Sequence, residues 1–146
     1  MTETRVYLDA NVFIYAIEGS PIVADPLREL FQLFRNRRAV GVTSELTLAE
    51  VLAGAVDVRR RNYLNLIVWS RIFDLQPVSR EVLIETSDYR KVAGMPKLPD
   101  AIHMVTAIRS GCRRILSADS RLKLPDGFVL IPPDREGLSN LIQELS

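Results

Sequence analysis

Short apolar runs alternate with amphipathic segments of helical length along nearly the whole chain, and this alternation limits the fold more than any other feature. Residues 6–8 read as a buried strand, and residues 10–18 as a helix stopped by Gly19, Ser20 and Pro21. Asp25-Pro26 reads as an N-cap with proline at the first helical position, opening a helix with Leu27, Leu30, Phe31 and Phe34 on one face. Residues 39–43 are strand-like, and Ser44 is placed to cap a helix reaching about residue 58. A further helix over 63–73 turns Leu64, Ile67, Val68 and Phe73 inward. Residues 75–78 suit an edge strand, because Pro77 has no donor for a central ladder. Ser79 caps a helix to about residue 92, and "GMPKLP" (94–99) separates it from a helix over 100–110 closed by Gly111. Strands at 115–117 and 129–131 and a helix at 137–145 complete the chain. Strands separated by helices indicate an α/β fold around a mainly parallel sheet. With no repeat, low-complexity tract or linker, residues 1–146 are read as a single domain.

Composition sets the class of protein. The chain is 47% apolar and 25% charged, enough to form a core and unlike a disordered segment. No apolar run approaches the roughly 20 residues that span a bilayer, and the N-terminus lacks the basic and apolar regions of a signal peptide. Cys112, the only cysteine, has no internal partner, so a reducing cytoplasm is expected and the thiol is read as inert. A net charge of +1 neither requires nor excludes nucleic acid. Local basic clusters exist at Arg35/Arg37/Arg38, Arg59/Arg60/Arg61 and Arg113/Arg114, and each also suits a solvated helix end.

The acids carry the chemistry. Ligands of open α/β sheets bind beyond the carboxyl ends of the strands. Asp9 lies at the end of the first strand, Asp119 follows the strand at 115–117, and Asp100 opens a helix. Each alone also suits a cap or a turn. Glu50 is the only charge between Glu45 and Asp57, on a narrow stripe with Thr47 and Gly54 that faces either solvent or a polar cleft. If the four acids converge, each pair about 5 Å apart costs roughly 3 kcal/mol at an effective dielectric near 20. A hard divalent cation, Mg²⁺ or Mn²⁺, would neutralise them. One histidine and one cysteine do not make a zinc site.

The segments "YLDANVFIYAIE", "TSELTLAEVLAG", "KLPDAIHMVTAIRSGC" and "RILSADSRL" occur in the order and at the separations of a known family. The sequence resembles PIN-domain ribonucleases, most closely the VapC-like toxins of type II toxin–antitoxin modules. The resemblance implies a three-layer α/β/α sandwich and Mg²⁺- or Mn²⁺-dependent cleavage of RNA. It assigns Asp9, Glu50, Asp100 and Asp119 to the family's four acidic positions, with Asn11, Ser44 and Ser117 as supporting polar residues. Ser117 stands where family members often carry threonine, which keeps a hydroxyl there. It also implies a cognate antitoxin and self-association as a homodimer. His103, three residues after Asp100 on one helix face, is read as a support for the acids or a wall of their cleft. Arg59, Arg60 and Arg61 are candidates for RNA contacts, and Trp69 is read as core or subunit interface rather than a base-stacking platform.

Rival readings make different demands on the same residues. A phospho-receiver module expects adjacent acids after the first strand, where "LDAN" offers one, and gives Glu50 no role. A haloacid-dehalogenase-type phosphatase expects Asp-x-Asp, but Asn11 occupies the second place. A catalytically silent PIN scaffold binding RNA or protein is disfavoured by the four intact acidic positions, and an RNA-processing PIN nuclease outside a toxin module stays open.

Overall fold

Strand β1 (Arg5–Leu8) lies at the middle of a five-stranded parallel sheet in the computed structural model, which describes residues 3–146. The other strands are β2 (Val40–Ser44), β3 (Phe73–Gln76), β4 (Arg114–Leu116) and β5 (Val129–Ile131), in the order β3-β2-β1-β4-β5. The chain runs outward from β1 through β2 to β3, then returns to the opposite side of β1 with β4. This reversal creates a switch point between β1 and β4, where crossover connections diverge and leave a crevice. Register there is fixed by Val6 opposite Arg114, Tyr7 opposite Ile115 and Leu8 opposite Leu116.

Alternation along the strands divides the core into two layers. Val6, Leu8 and Leu116 pack with Phe13 of α1 (Ala10–Glu18), Leu27, Leu30 and Phe31 of α2 (Pro21–Arg35), Val51 of α3 (Leu46–Leu52) and Tyr63 of α4 (Asp57–Leu64). On the other face, Tyr7, Val42 and Ile115 meet Met104 and Ala107 of α6 (Leu98–Arg109), whose Ile102 and Val105 pack on Val82 of α5 (Arg80–Val92). Helix α7 (Arg135–Leu145) joins the first layer through Leu138 and Leu141. The result is the expected α/β/α sandwich, with every strand pairing parallel. Among the described residues, no helix is long and apolar enough to cross a membrane.

Several boundaries differ from the sequence reading, each for a local reason. Helix α2 starts at Pro21 after Ser20, so Asp25-Pro26 lies inside it rather than at its start. The donor missing from Pro26 would have met the carbonyl of Ile22, an exposed residue whose backbone water can reach. The helix expected from Ser44 to about residue 58 ends at Leu52, and a new helix begins at Asp57, which takes positive φ. Helix α4 continues through a π-helical turn (Asn65–Trp69) and stops at Arg71, also at positive φ, so Phe73 opens β3 instead of ending a helix. Trp69 is 60% exposed and not part of the core. Asp134 caps α7, which starts two residues earlier than its apolar pattern suggested.

Gly41 in β2 marks the tightest contact in the first layer. A Cβ there would lie 2.7 Å from Phe34 Cδ2 and 2.9 Å from Phe73 Cδ1. Those rings pack edge to face on each other, and Phe31 stacks on Phe34 and meets Phe73 edge to face, so neither can swing aside. Gly41→Ala should therefore destabilise the fold by about 1–3 kcal/mol, read as a lower urea midpoint with an unchanged m-value.

Candidate active site

Asp9 stands at the switch point as the N-cap of α1, its Oδ1 accepting from the Val12 N–H at 3.4 Å. One step beyond the last paired residues of β1 and β4, the Ser117 hydroxyl donates to Asp9 Oδ2 and accepts from the Asp119 N–H at 3.1 Å. A single hydroxyl thus ties two acids from neighbouring strand ends together. Asp119 Oδ1 accepts from the Arg121 N–H at 3.0 Å and from its guanidinium at 3.1 Å. These bonds, the backbone one foremost, hold the Asp119 carboxyl below its ordinary range.

Asp100 lies in the first turn of α6, which is capped by Lys97, so its side chain is not used as a cap. With Asp9, Asn11, His103, Ser117 and Asp119 it lines one cleft of about 470 Å³. Lys97 and Arg121 reach the same cleft.

Glu50 approaches from α3, in the opposite helical layer, and the structure gives it a partner. His103 Nε2 meets Glu50 Oε1 at 2.6 Å, while Nδ1 meets the Tyr7 hydroxyl at 2.6 Å. With the ring proton on Nε2, the phenol donates to the imidazole and the imidazole donates to the carboxylate, so all three groups are satisfied. His103 is 6% exposed, and 32% of the Glu50 side chain is open to solvent. Glu50 borders the cleft through His103 rather than lining it. Below it, Thr43 donates to the Leu8 carbonyl at 2.7 Å and shares a 2.8 Å hydrogen bond with Thr47, pinning α3 to the end of β1. Ser44, the last residue of β2, accepts from the Leu46 N–H at 3.0 Å and is wholly buried beside this junction. Thr106, one turn beyond Ile102 on α6, is buried with its hydroxyl bonded to the Ile102 carbonyl.

The arginine cluster lies elsewhere. Arg59 pairs with Glu18 at 3.3 Å, and none of Arg59, Arg60 and Arg61 lines the cleft. Burial drives the thiol pKa of Cys112 up to about 11, which keeps it inert. Tyr7 is the main residue that the sequence reading passed over. Its signal was period two: Tyr7 and Asp9 share a strand face, so a buried phenol beside an acid needed a polar partner. Lys97 had a weaker signal, a cation in the loop immediately before the helix that carries Asp100.

Among the described residues, no three carboxylate, histidine or cysteine side chains close on a common point as a formed metal site. The donor set nonetheless fits a hard divalent cation. Three carboxylates line one cleft, and the Asp9 carboxyl is pushed above its ordinary range chiefly by burial. Ser117, His103 and Val12 offset part of that shift, and the charge of Glu50 adds to it. Asp119 alone of the three is paired with a cation, Arg121, and the set of carboxylate oxygens suits ligation of Mg²⁺ or Mn²⁺.

The raised pKa of Asp9 has a consequence for stability. A carboxyl with a folded pKa above its unfolded value stabilises the fold at low pH and loses that contribution as pH rises through the folded pKa. Asp9→Asn, which stays neutral, should melt higher than the parent in metal-free buffer at neutral pH. The gap should shrink as pH falls toward 4, the ordinary aspartate range, in thermal melts across the acid range.

The PIN domain family model matches residues 6–127. No curated protein sequence matches the chain. Solved structures with a similar fold include VapBC2 from Rickettsia felis bound to a DNA fragment from its promoter. There 88% of this chain aligns with 98% of the matched chain at 15% identity and a TM-score of 0.66. FitAB bound to an IR36 DNA fragment is similar over 88% of this chain and 94% of the other, at 15% identity and a TM-score of 0.64. A toxin–antitoxin complex from Klebsiella pneumoniae is similar over 88% and 97%, at 20% identity and a TM-score of 0.64. With the family match covering most of its length, and its strand-end acids lying where such a fold places its crevice, this chain belongs to the PIN domain family.

Proposed function

We propose that the chain is a metal-dependent endoribonuclease and the toxin of a type II toxin–antitoxin module, acting as a single cytoplasmic domain over residues 1–146. The observation that carries this reading is the cleft at the β1–β4 switch point, lined by Asp9, Asp100 and Asp119 and bordered by Glu50. These four acids are the proposed holders of Mg²⁺ or Mn²⁺. When bound, such a cation lowers the pKa of a water for attack on phosphorus and offsets charge on the phosphate.

The chain's own residues have separate tasks. Ser117 sets the separation of Asp9 and Asp119 by bonding to both. His103 orients Glu50 from the core side, and Asn11, on the first turn of α1, offers a polar group to whatever enters the cleft. Arg59, Arg60 and Arg61 remain candidates for RNA contacts on another face. The PIN fold recurs in toxin–antitoxin complexes, which supports a cognate antitoxin as partner. A homodimer is proposed on the family resemblance.

Asp9→Asn should reduce cleavage of a single-stranded RNA to near background. Glu50→Gln should lower turnover more than RNA affinity, since it alters geometry at the acids rather than contacts to the strand. Mn²⁺ should raise the melting temperature of the parent more than that of Asp9→Asn. If Glu50→Gln cleaves at the parental rate, Glu50 belongs to the solvated surface and the acidic set shrinks to three.

Expression of the chain alone should arrest growth, and co-expression with a small protein encoded beside it should restore growth and yield a stable complex. Normal growth with no RNA cleavage would instead favour a silent PIN scaffold.

A further inference from the structure

A second cavity of about 340 Å³ adjoins the acidic cleft, and the two share Lys97, Asp100, Asp119, Arg121 and Leu122. Beyond the shared acids, the second cavity has no carboxylate, and Lys123 adds a further cation. Charge is therefore graded: carboxylates at the strand ends, Lys97 and Arg121 at the junction, and Lys123 outside.

Both lysines sit on loops held by the last turns of α5. Arg90 Nε donates to the Pro96 carbonyl at 2.9 Å, beside Lys97. The Met95 N–H donates to the Arg90 carbonyl at 2.8 Å, with Gly94 and Met95 both at positive φ, which turns the loop back over the helix end. On the facing loop, the Tyr89 hydroxyl donates to the Lys123 carbonyl at 3.3 Å. Neighbouring residues of one helix thus fix the backbone beside both lysines. Among the described residues, neither lysine is in an ion pair, whereas Arg121 is held by Asp119 and Arg59 by Glu18.

We infer that this second cavity is a binding subsite for the RNA backbone, in which Lys97 and Lys123 take phosphates next to the bond positioned at the acids. The inference rests on the ribonuclease reading. A polyanion approaching three carboxylates is repelled unless cations stand beside them, and here the unpaired cations lie on one side only. Met95, 60% exposed in the same cavity, offers an apolar surface to a base. An acidic polypeptide would find the lysines but would have no reason to extend toward the carboxylates.

The test uses the whole protein and a labelled single-stranded RNA of about a dozen nucleotides, with binding read by fluorescence anisotropy in chelator and cleavage in Mn²⁺. The double variant K97A/K123A keeps the Arg121 pairing with Asp119, and both lysines are exposed. Losing two single-strand phosphate contacts should lower the salt slope by about 1.4. The parent's advantage in affinity should then be about sevenfold larger at roughly 50 mM than at 200 mM salt. KM should rise by a larger factor than kcat falls, and K97E/K123E should exceed both effects.

If K97A/K123A binds RNA like the parent, with the same salt slope, the subsite is overturned while the nuclease reading stands. The same holds if only R59A/R60A/R61A weakens binding, or if the double variant loses an acidic peptide but not RNA. A parent that neither binds nor cleaves RNA overturns the ribonuclease reading and the subsite with it.

Discussion

One hydroxyl joins the two strand-end acids at the centre of this fold. The parallel sheet brings the ends of β1 and β4 side by side, and each end carries an acid. Asp9 is largely buried there, where its charge is screened less than in water. Ser117 donates to one acid and accepts from the backbone of the other, so it spaces them without neutralising either. The α1 N-terminus adds the Val12 N–H and a favourable dipole at Asp9. These contacts offset only part of the cost of burial, which is why the Asp9 carboxyl still titrates high. A fold selected for stability alone would have no use for this arrangement, since two apolar residues would fit the junction at lower cost.

Glu50 reaches the same region by another route. It comes from the helical layer opposite α6, and among the described residues its side chain bonds to His103 alone, itself anchored by Tyr7 in the central strand. Burial and the nearby Asp9 charge push the Tyr7 phenol well above its ordinary range, so it stays a donor and holds Nδ1 as the acceptor. That choice leaves Nε2 with the proton that faces Glu50. The orientation of an acid at the cleft rim is therefore decided by a phenol in the core, and removing the phenol would leave a buried ring nitrogen without a partner, a loss of about 1–3 kcal/mol. Among the described residues, no buried side-chain polar atom lacks a partner, so the network has no slack of this kind elsewhere.

The parts legible in the sequence were those governed by short-range rules. Strand runs, the Ser79 cap and the acids at strand ends follow from periodicity and capping chemistry, and the structure places them where those rules point. The misreadings came where two local signals competed. Ser20-Pro21 and Asp25-Pro26 both spell a helix start, and the first one won because Gly19 had already closed α1. The chain from Ser44 to Phe73 was read as two long helices, but residues at positive φ split it into shorter ones, and a lone Asp or Arg gives little warning of such a turn. Pairings between distant elements were not legible either. Neither the bond of His103 to Glu50 nor that of Arg59 to Glu18 follows from spacing, because each joins elements whose relative position only the packed sheet decides.

That difference between near and far pairings also bears on how the site divides its work. The acids stand on strand ends and first helical turns, the parts of an α/β fold that the core holds most firmly. The free lysines stand on loops whose backbone is fixed by bonds from α5, a helix that packs on α6 and not on the acids themselves. Changes in α5 can therefore shift the loop lysines, and they reach Asp100 as well through α6, on which α5 packs. The arrangement at Asp9, Ser117 and Asp119 allows no such freedom, because moving any one of them changes the spacing of the other two.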